Sequence, residues 1–170
     1  MAAGNTYTAF ATQTLGSAAS SVTFSSISGA YTDLVLVCNG KATTGTAGLG
    51  LQFNADTSGG GTNYSTTILE GSGAAAASER YASTFNIRIG WNAYWDTTYE
   101  GNNIAHIMNY ANTTTNKTVL ARSNNAARYT EAMVGLWRST AAISTVTVIA
   151  TGGPNFDTGS TFTLYGISCA

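Results

Sequence analysis

LGLQF (Leu49–Phe53) and FNIRI (Phe85–Ile89) carry the same signal: large apolar side chains alternate with small or polar ones. Successive side chains on a strand point to opposite faces, so a period of two describes a strand with one dry face and one wet face. Leu49, Leu51 and Phe53 form the dry set of the first stretch, opposite Gly50 and Gln52. Phe85, Ile87 and Ile89 form it in the second, opposite Asn86 and Arg88.

Outward from these two, alternation or short β-branched runs mark further strands at Tyr7–Leu15, Val22–Ile27, Asp33–Asn39, Tyr64–Glu70 and Ile104–Asn109. They recur at Thr118–Arg122, Met133–Arg138, Ile143–Ile149 and Thr161–Ile167, and the second quoted stretch extends over Thr84–Gly90. Ser28-Gly29, Asn39-Gly40, Gly59–Gly61, Gly101-Asn102 and Asp157–Ser160 supply the turns between them. Gly29 and Ala30 reverse the chain, Pro154 falls in a loop, and Gly166 in the closing strand predicts a bulge or a close backbone approach. The best helical candidate is GAAAASERY (Gly73–Tyr81), which reads equally as a small-residue loop. About eleven short strands without a βαβ rhythm predict an all-β fold. The expected architecture is a single antiparallel β-sandwich of jelly-roll type spanning residues 1–170.

The surface of that sandwich is short of ions. Only 9 % of the chain is charged, against about a quarter in an ordinary domain. Thr, Ser, Ala, Asn and Gly stand where Lys and Glu usually do, and such a surface can be covered by a partner without stranding many charges. Seven Lys and Arg nearly balance eight Asp and Glu, so there is no basic stripe for nucleic acid. The N-terminal stretch lacks the pattern of a secretory signal. The longest strongly apolar run, Leu34–Cys38, is too short to span a bilayer as a helix, and no membrane partner is expected. Cys38 and Cys169 read as two thiols in a reducing cytosol, with one disulfide as the other reading.

Catalytic and metal chemistries find little. His106 is the only histidine, it lies in an expected strand, and no Ser stands in a G-x-S-x-G elbow. One His and two distant Cys make no zinc spacing. Asn54, Asp56 and Asn63 could offer oxygens to calcium, or could simply stabilise a turn. Asp96 and Glu100 are the nearest approach to a glycosidase carboxylate pair. Neither a catalytic residue, a metal nor a cofactor is assigned. Arg122, Arg128 and Arg138 read as solvated strand-end residues, with an interface pair for Arg138 as the other reading.

GWNAYWDTTYEGNN (Gly90–Asn103) is the most informative local stretch, because Trp91, Tyr94, Trp95 and Tyr99 place four rings within nine residues. It reads as a loop after the strand ending at Ile89. Three roles stay open: a small core under the loop, a subunit contact rich in aromatic area, or stacking on a glycan aided by Asn92, Asn102 and Asn103.

Five segments resemble a family of small virion structural proteins of tailed phages, especially phages of cyanobacteria. They are TLGSAASSVTFSSISGAYTDLVLV (Thr14–Val37), LQFNADTSGGGTNYS (Leu51–Ser65), NYANTTTNKTVLARSN (Asn109–Asn124), VGLWRSTAAISTVTV (Val134–Val148) and GSTFTLYGI (Gly159–Ile167). The resemblance implies a jelly-roll-like sandwich on a phage particle, head-associated or tail-associated, and no enzyme. The resulting expectation is a non-enzymatic protein, assembled in the host cytoplasm, that self-associates as a homo-oligomer, as a trimer, on the particle exterior. There it would act as a capsid cement or decoration protein against the major capsid protein or another virion protein. The alternative is a receptor-binding tail-fibre or tail-tip protein that touches host glycan through the aromatic stretch.

Overall fold

Twelve strands and no helix make up residues 6–57 and 61–168, the part of the chain that the computed structural model describes. In chain order they are β1 (Tyr7–Thr14), β2 (Ser21–Phe24), β3 (Asp33–Gly40), β4 (Thr46–Phe53), β5 (Tyr64–Gly71) and β6 (Ala76–Thr84). There follow β7 (Ile87–Asp96), β8 (Gly101–Met108), β9 (Lys117–Asn125), β10 (Tyr129–Trp137), β11 (Val146–Thr151) and β12 (Thr161–Ile167).

All strand neighbours are antiparallel, in an eight-stranded sheet ordered β1-β12-β3-β8-β9-β10-β5-β6 and a four-stranded sheet ordered β2-β11-β4-β7. With the hairpins β5–β6 and β9–β10 set aside, the pairs β1/β12, β2/β11, β3/β8 and β4/β7 remain. That nesting is one long antiparallel hairpin wrapped across two sheets, which is the jelly-roll order. The two extra hairpins are insertions that widen one sheet beyond the edge of the other.

Strand β9 buries every second residue from Lys117 to Asn125, and β10 does the same from Glu131 to Trp137. Strand β4 is different, being buried on both faces from Ala47 to Phe53. Gly50 and Gln52, expected on a wet face, are therefore interior. Gln52 is satisfied there by donating to the Phe85 carbonyl at 3.0 Å, and a Cβ on Gly50 would meet the Asn86 carboxamide. Phe85, expected on the dry face, precedes β7 in the connection from β6 and is exposed.

Two further expectations are corrected. The helical candidate Gly73–Tyr81 is mostly strand β6, zipped to β5 from Gly71↔Ala76 to Tyr64↔Thr84. Sheet pairing outweighs the helix preference of four alanines, since propensity is a weak term beside tertiary contacts. The stretch after Ile89 continues as β7 through Asp96, held by β4, so Trp91, Tyr94 and Trp95 are strand residues. The expected close approach at Gly166 is present: a Cβ there would stand 2.4 Å from the Tyr31 ring. Gly59 and Gly60 of the glycine triplet lie outside the described residues, as does Cys169, while Cys38 is a buried free thiol whose pKa burial pushes up.

Strand β7 has a strand neighbour, β4, on one side only. Along its other edge, side chains from the inner face of the large sheet meet the backbone instead. Thr66 Oγ1 accepts from Arg88 N at 3.0 Å, and the Glu131 carboxylate accepts from Trp91 N at 3.0 Å and Asn92 N at 2.5 Å. Asn103 Nδ2 donates to the Ile89 carbonyl at 2.6 Å, and Asn125 Nδ2 to the Tyr94 carbonyl at 2.8 Å. Buried polar groups need partners, and Thr66, Asn103, Glu131 and Asn125 are all buried for this purpose. The edge is closed without a strand, which blocks it as a template for foreign pairing.

Candidate interaction surface

The face of the large sheet turned away from the small one is organised in cross-strand rows. One row runs Leu69–Ala132–Arg122–Ile104–Val37–Thr163, and the next runs Arg80–Thr67–Val134–Leu120–His106–Val35–Tyr165. Tyr7 stands beside Tyr165, with ring centroids 6.1 Å apart. Together these rows line a depression of about 620 Å³ whose floor is aliphatic: Val35, Ile104, Leu120, Ala132 and Val134, with Leu69 and Tyr7 at its sides. Four large apolar side chains of this face, Tyr7, Leu69, Leu120 and Val134, are between 46 % and 62 % exposed. Their clustering on one face is what separates an interaction surface from scattered apolar residues.

The charges on the face are sparse, and its one carboxylate, Asp33, is already engaged. Arg122 and Arg80 are exposed. His106 Nε2 lies 2.9 Å from Asp33 Oδ2, and Asp33 Oδ1 accepts from Asn109 N at 2.7 Å. Toward the Gly101 end of β8 the face turns polar: Asn39 Nδ2 donates to Asn102 Oδ1 at 2.6 Å and Asn102 Nδ2 to Asn124 Oδ1 at 3.3 Å, a ladder of amides across three strands. Stacked amides of this kind satisfy one another and keep that end of the face wet.

The four predicted ring residues are not brought together on this face. Trp95 is fully buried against Phe156 and Phe162, and its Nε1 donates to Asn103 Oδ1 at 2.7 Å. That ring is core and has no surface for a ligand, so for Trp95 the contact role is replaced by the core role. Trp91 is half-buried between Tyr81 and Tyr94, with the Arg88 guanidinium 3.5 Å from the centroids of both Tyr81 and Trp91. Arg88 Nη1 has no hydrogen-bond partner, and the guanidinium instead lies against the Tyr81 and Trp91 rings, which meet at 64°. Tyr99 alone of the four is mostly open to solvent, in the β7–β8 connection.

The other candidates are anchors. Asp96 Oδ1 accepts from Thr98 N and Tyr99 N at 2.7 Å each, and Oδ2 accepts from Asn125 Nδ2 at 3.1 Å and Arg128 Nε at 3.2 Å. A carboxylate committed to four donors shapes its turn and is not free to shuttle protons to Glu100. Asp56 Oδ2 accepts from Trp137 Nε1 at 2.7 Å and Asn63 Nδ2 at 2.9 Å, while Asn54 Oδ1 faces the backbone of Ser144 and Thr145. Asn54 and Asp56 thus point to different partners, and no cluster of metal-ligating acids, His or Cys occurs among the described residues. Arg138 is held by the carbonyls of Thr62 and Ala82 at 2.8 and 3.0 Å.

Burial raises the Asp96 carboxyl, but the Tyr99, Thr98, Arg128 and Asn125 bonds outweigh it and hold the group below its ordinary value of 3.8. A depressed folded value means stabilisation that is present above the ordinary carboxylate range and lost as pH falls through the folded value. The wild-type melting temperature should therefore drop more steeply below about pH 4 than that of Asp96→Asn, which keeps an acceptor for the turn but has no charge to titrate. Equal acid profiles in a thermal-melt series would refute this.

The aliphatic floor went unseen in the sequence, although a signal existed. Leu120 stands between Val119 and Ala121, and Val134 between Met133 and Gly135. An apolar residue at both parities of a strand means either burial on two faces or an apolar outer face.

No family model and no curated protein matches the chain. Among solved structures it is similar to the galectin LEC-6 of Caenorhabditis elegans, at 9 % identity and a TM-score of 0.36, covering 90 % of this chain and 94 % of that one. It is also similar to the alginate lyase Aly36B, at 11 % identity and a TM-score of 0.36, covering 94 % and 80 %. A third is the PL-14 alginate lyase from Aplysia kurodai, at 8 % identity and a TM-score of 0.34, covering 85 % and 72 %. Likeness at this level says nothing about ligand or reaction, and the jelly-roll assignment stands on the strand order.

Proposed function

We propose that this chain is a non-enzymatic structural subunit of a tailed-phage particle, self-associating on the particle exterior as a cement or decoration protein. The observation that supports this reading is the aliphatic floor of the outer face, where Leu69, Leu120 and Val134 stand exposed with few charges around them. A glycan platform offers ring faces and amides, whereas aliphatic side chains gain free energy only by leaving water against another apolar surface. Symmetric repetition of such a contact over a shell multiplies a modest affinity into firm adhesion.

The test is made on particles produced from the genome that encodes the chain. Electron cryomicroscopy should find jelly-roll density on the shell, and mass spectrometry should count the chain at structural copy number. In reconstitution on shells lacking the chain, Leu120→Glu should weaken attachment about tenfold or more, because an unpaired carboxylate must then be desolvated. Absence from particles, or a glycan-array signal that Leu120→Glu leaves intact, overturns the reading.

A further inference from the structure

We infer that the occupant of the outer-face depression is a second copy of this chain, seated head to tail through its Tyr99–Glu100 tip. This rests on the self-association proposed above and specifies its contact. The chain has eight carboxylates, Asp33, Asp56, Glu70, Glu79, Asp96, Glu100, Asp157 and Glu131. Seven are buried or half-buried, and among the described residues Glu100 is the only exposed one. It follows directly on Tyr99, which is 54 % exposed. One short connection thus carries an open ring and the one exposed carboxylate among the described residues.

The depression is the complement of that tip. Its floor is aliphatic, Arg122 stands within it, and Arg80 ends the adjacent row. The one carboxylate on the face, Asp33, is already engaged by His106 and Asn109 N. A face-to-face dimer would bring two copies of Arg80 and Arg122 into one interface with no free carboxylate of the face to offset them, which like-charge repulsion disfavours. A head-to-tail contact places Tyr99 on Leu120 and Val134 and Glu100 beside Arg122. Such a contact is heterologous, so it closes into a ring or runs on as a filament according to the rotation it imposes. The tip is not among the residues lining its own protomer's depression, which leaves that depression open to the neighbour.

Sedimentation velocity over a concentration series on the full chain tests this with Glu100→Arg, Arg122→Glu and the double exchange. Each single variant should weaken association about tenfold or more, and the double exchange should recover most of it. Both positions are exposed, so folding should be unaffected, with circular dichroism as the control. Wild-type protein that stays monomeric throughout overturns the self-association reading and this contact with it. Wild-type oligomers that both single variants leave unchanged overturn this contact alone. Loss in the singles without recovery in the double exchange also overturns it, and places a different partner surface on the face.

Discussion

Trp95→Ala is expected to lower stability by about 3–5 kcal/mol, the range for truncating a fully buried large aromatic. Trp95 is wholly buried, and Phe156 and Phe162 pack on it with centroids 5.3 and 5.7 Å away. Gly101 is glycine because of it, since a Cβ there would stand 2.1 Å from Trp95 Cδ1; a Cβ on Gly40 would meet Ser160 at 2.2 Å and then Trp95 Cζ3 at 2.7 Å. Backbone shaped this closely to a ring does not collapse into the space the ring leaves. The truncation also removes the donor to Asn103 Oδ1, an acceptor buried in the core. Trp95→Phe should lose less, since it keeps most of the volume and forfeits chiefly the hydrogen bond, worth about 1 kcal/mol. Urea unfolding monitored by circular dichroism reads both. A Trp95→Ala penalty under about 1 kcal/mol would show that the ring is not part of the core.

The sheets were legible in the sequence because their signal is local. Thr161–Ile167 and Asp33–Asn39 alternate or run β-branched, and they became β12 and β3 with nearly those bounds. The partnership was not legible, since β1 pairs with β12 across almost the whole chain and nothing in Tyr7–Thr14 names that partner. Gly73–Tyr81 failed for the complementary reason: its alanines carry a local preference, and only β5 alongside overrides it. The aromatic stretch was read as a loop, with a core role among those left open, because Trp and Tyr fall beside Asn, Asp and Thr, a composition typical of loops. Its polar residues are in fact an internal hydrogen-bonding set, with Asp96 folding the turn and Asn92 donating to Glu70. The aliphatic outer face was missed because the residues lining its depression come from six strands and become neighbours only through register. No window of sequence contains Leu69, Leu120 and Val134 together.

Glu131 makes the second large prediction, and it concerns both stability and association. Its carboxylate is buried, yet it serves no cation; it accepts from Trp91 N at 3.0 Å, Asn92 N at 2.5 Å and Ser123 Oγ at 2.6 Å. It stands in for the strand that β7 lacks. Glu131→Ala strips one buried and two half-buried donors of their acceptor, and at about 1–3 kcal/mol for each unsatisfied buried group the expected loss is about 3–5 kcal/mol after partial relaxation and hydration. Glu131→Gln should lose roughly half of that, because one oxygen still accepts while the amide nitrogen confronts a donor. The freed edge has a further consequence: unpaired N–H groups on a strand recruit other strands. The alanine variant should therefore aggregate through β pairing below its melting temperature, with a rise in thioflavin fluorescence that Trp95→Ala does not show at matched stability. Equal aggregation in both variants would mean that exposed core drives it, and that the carboxylate does not guard the edge.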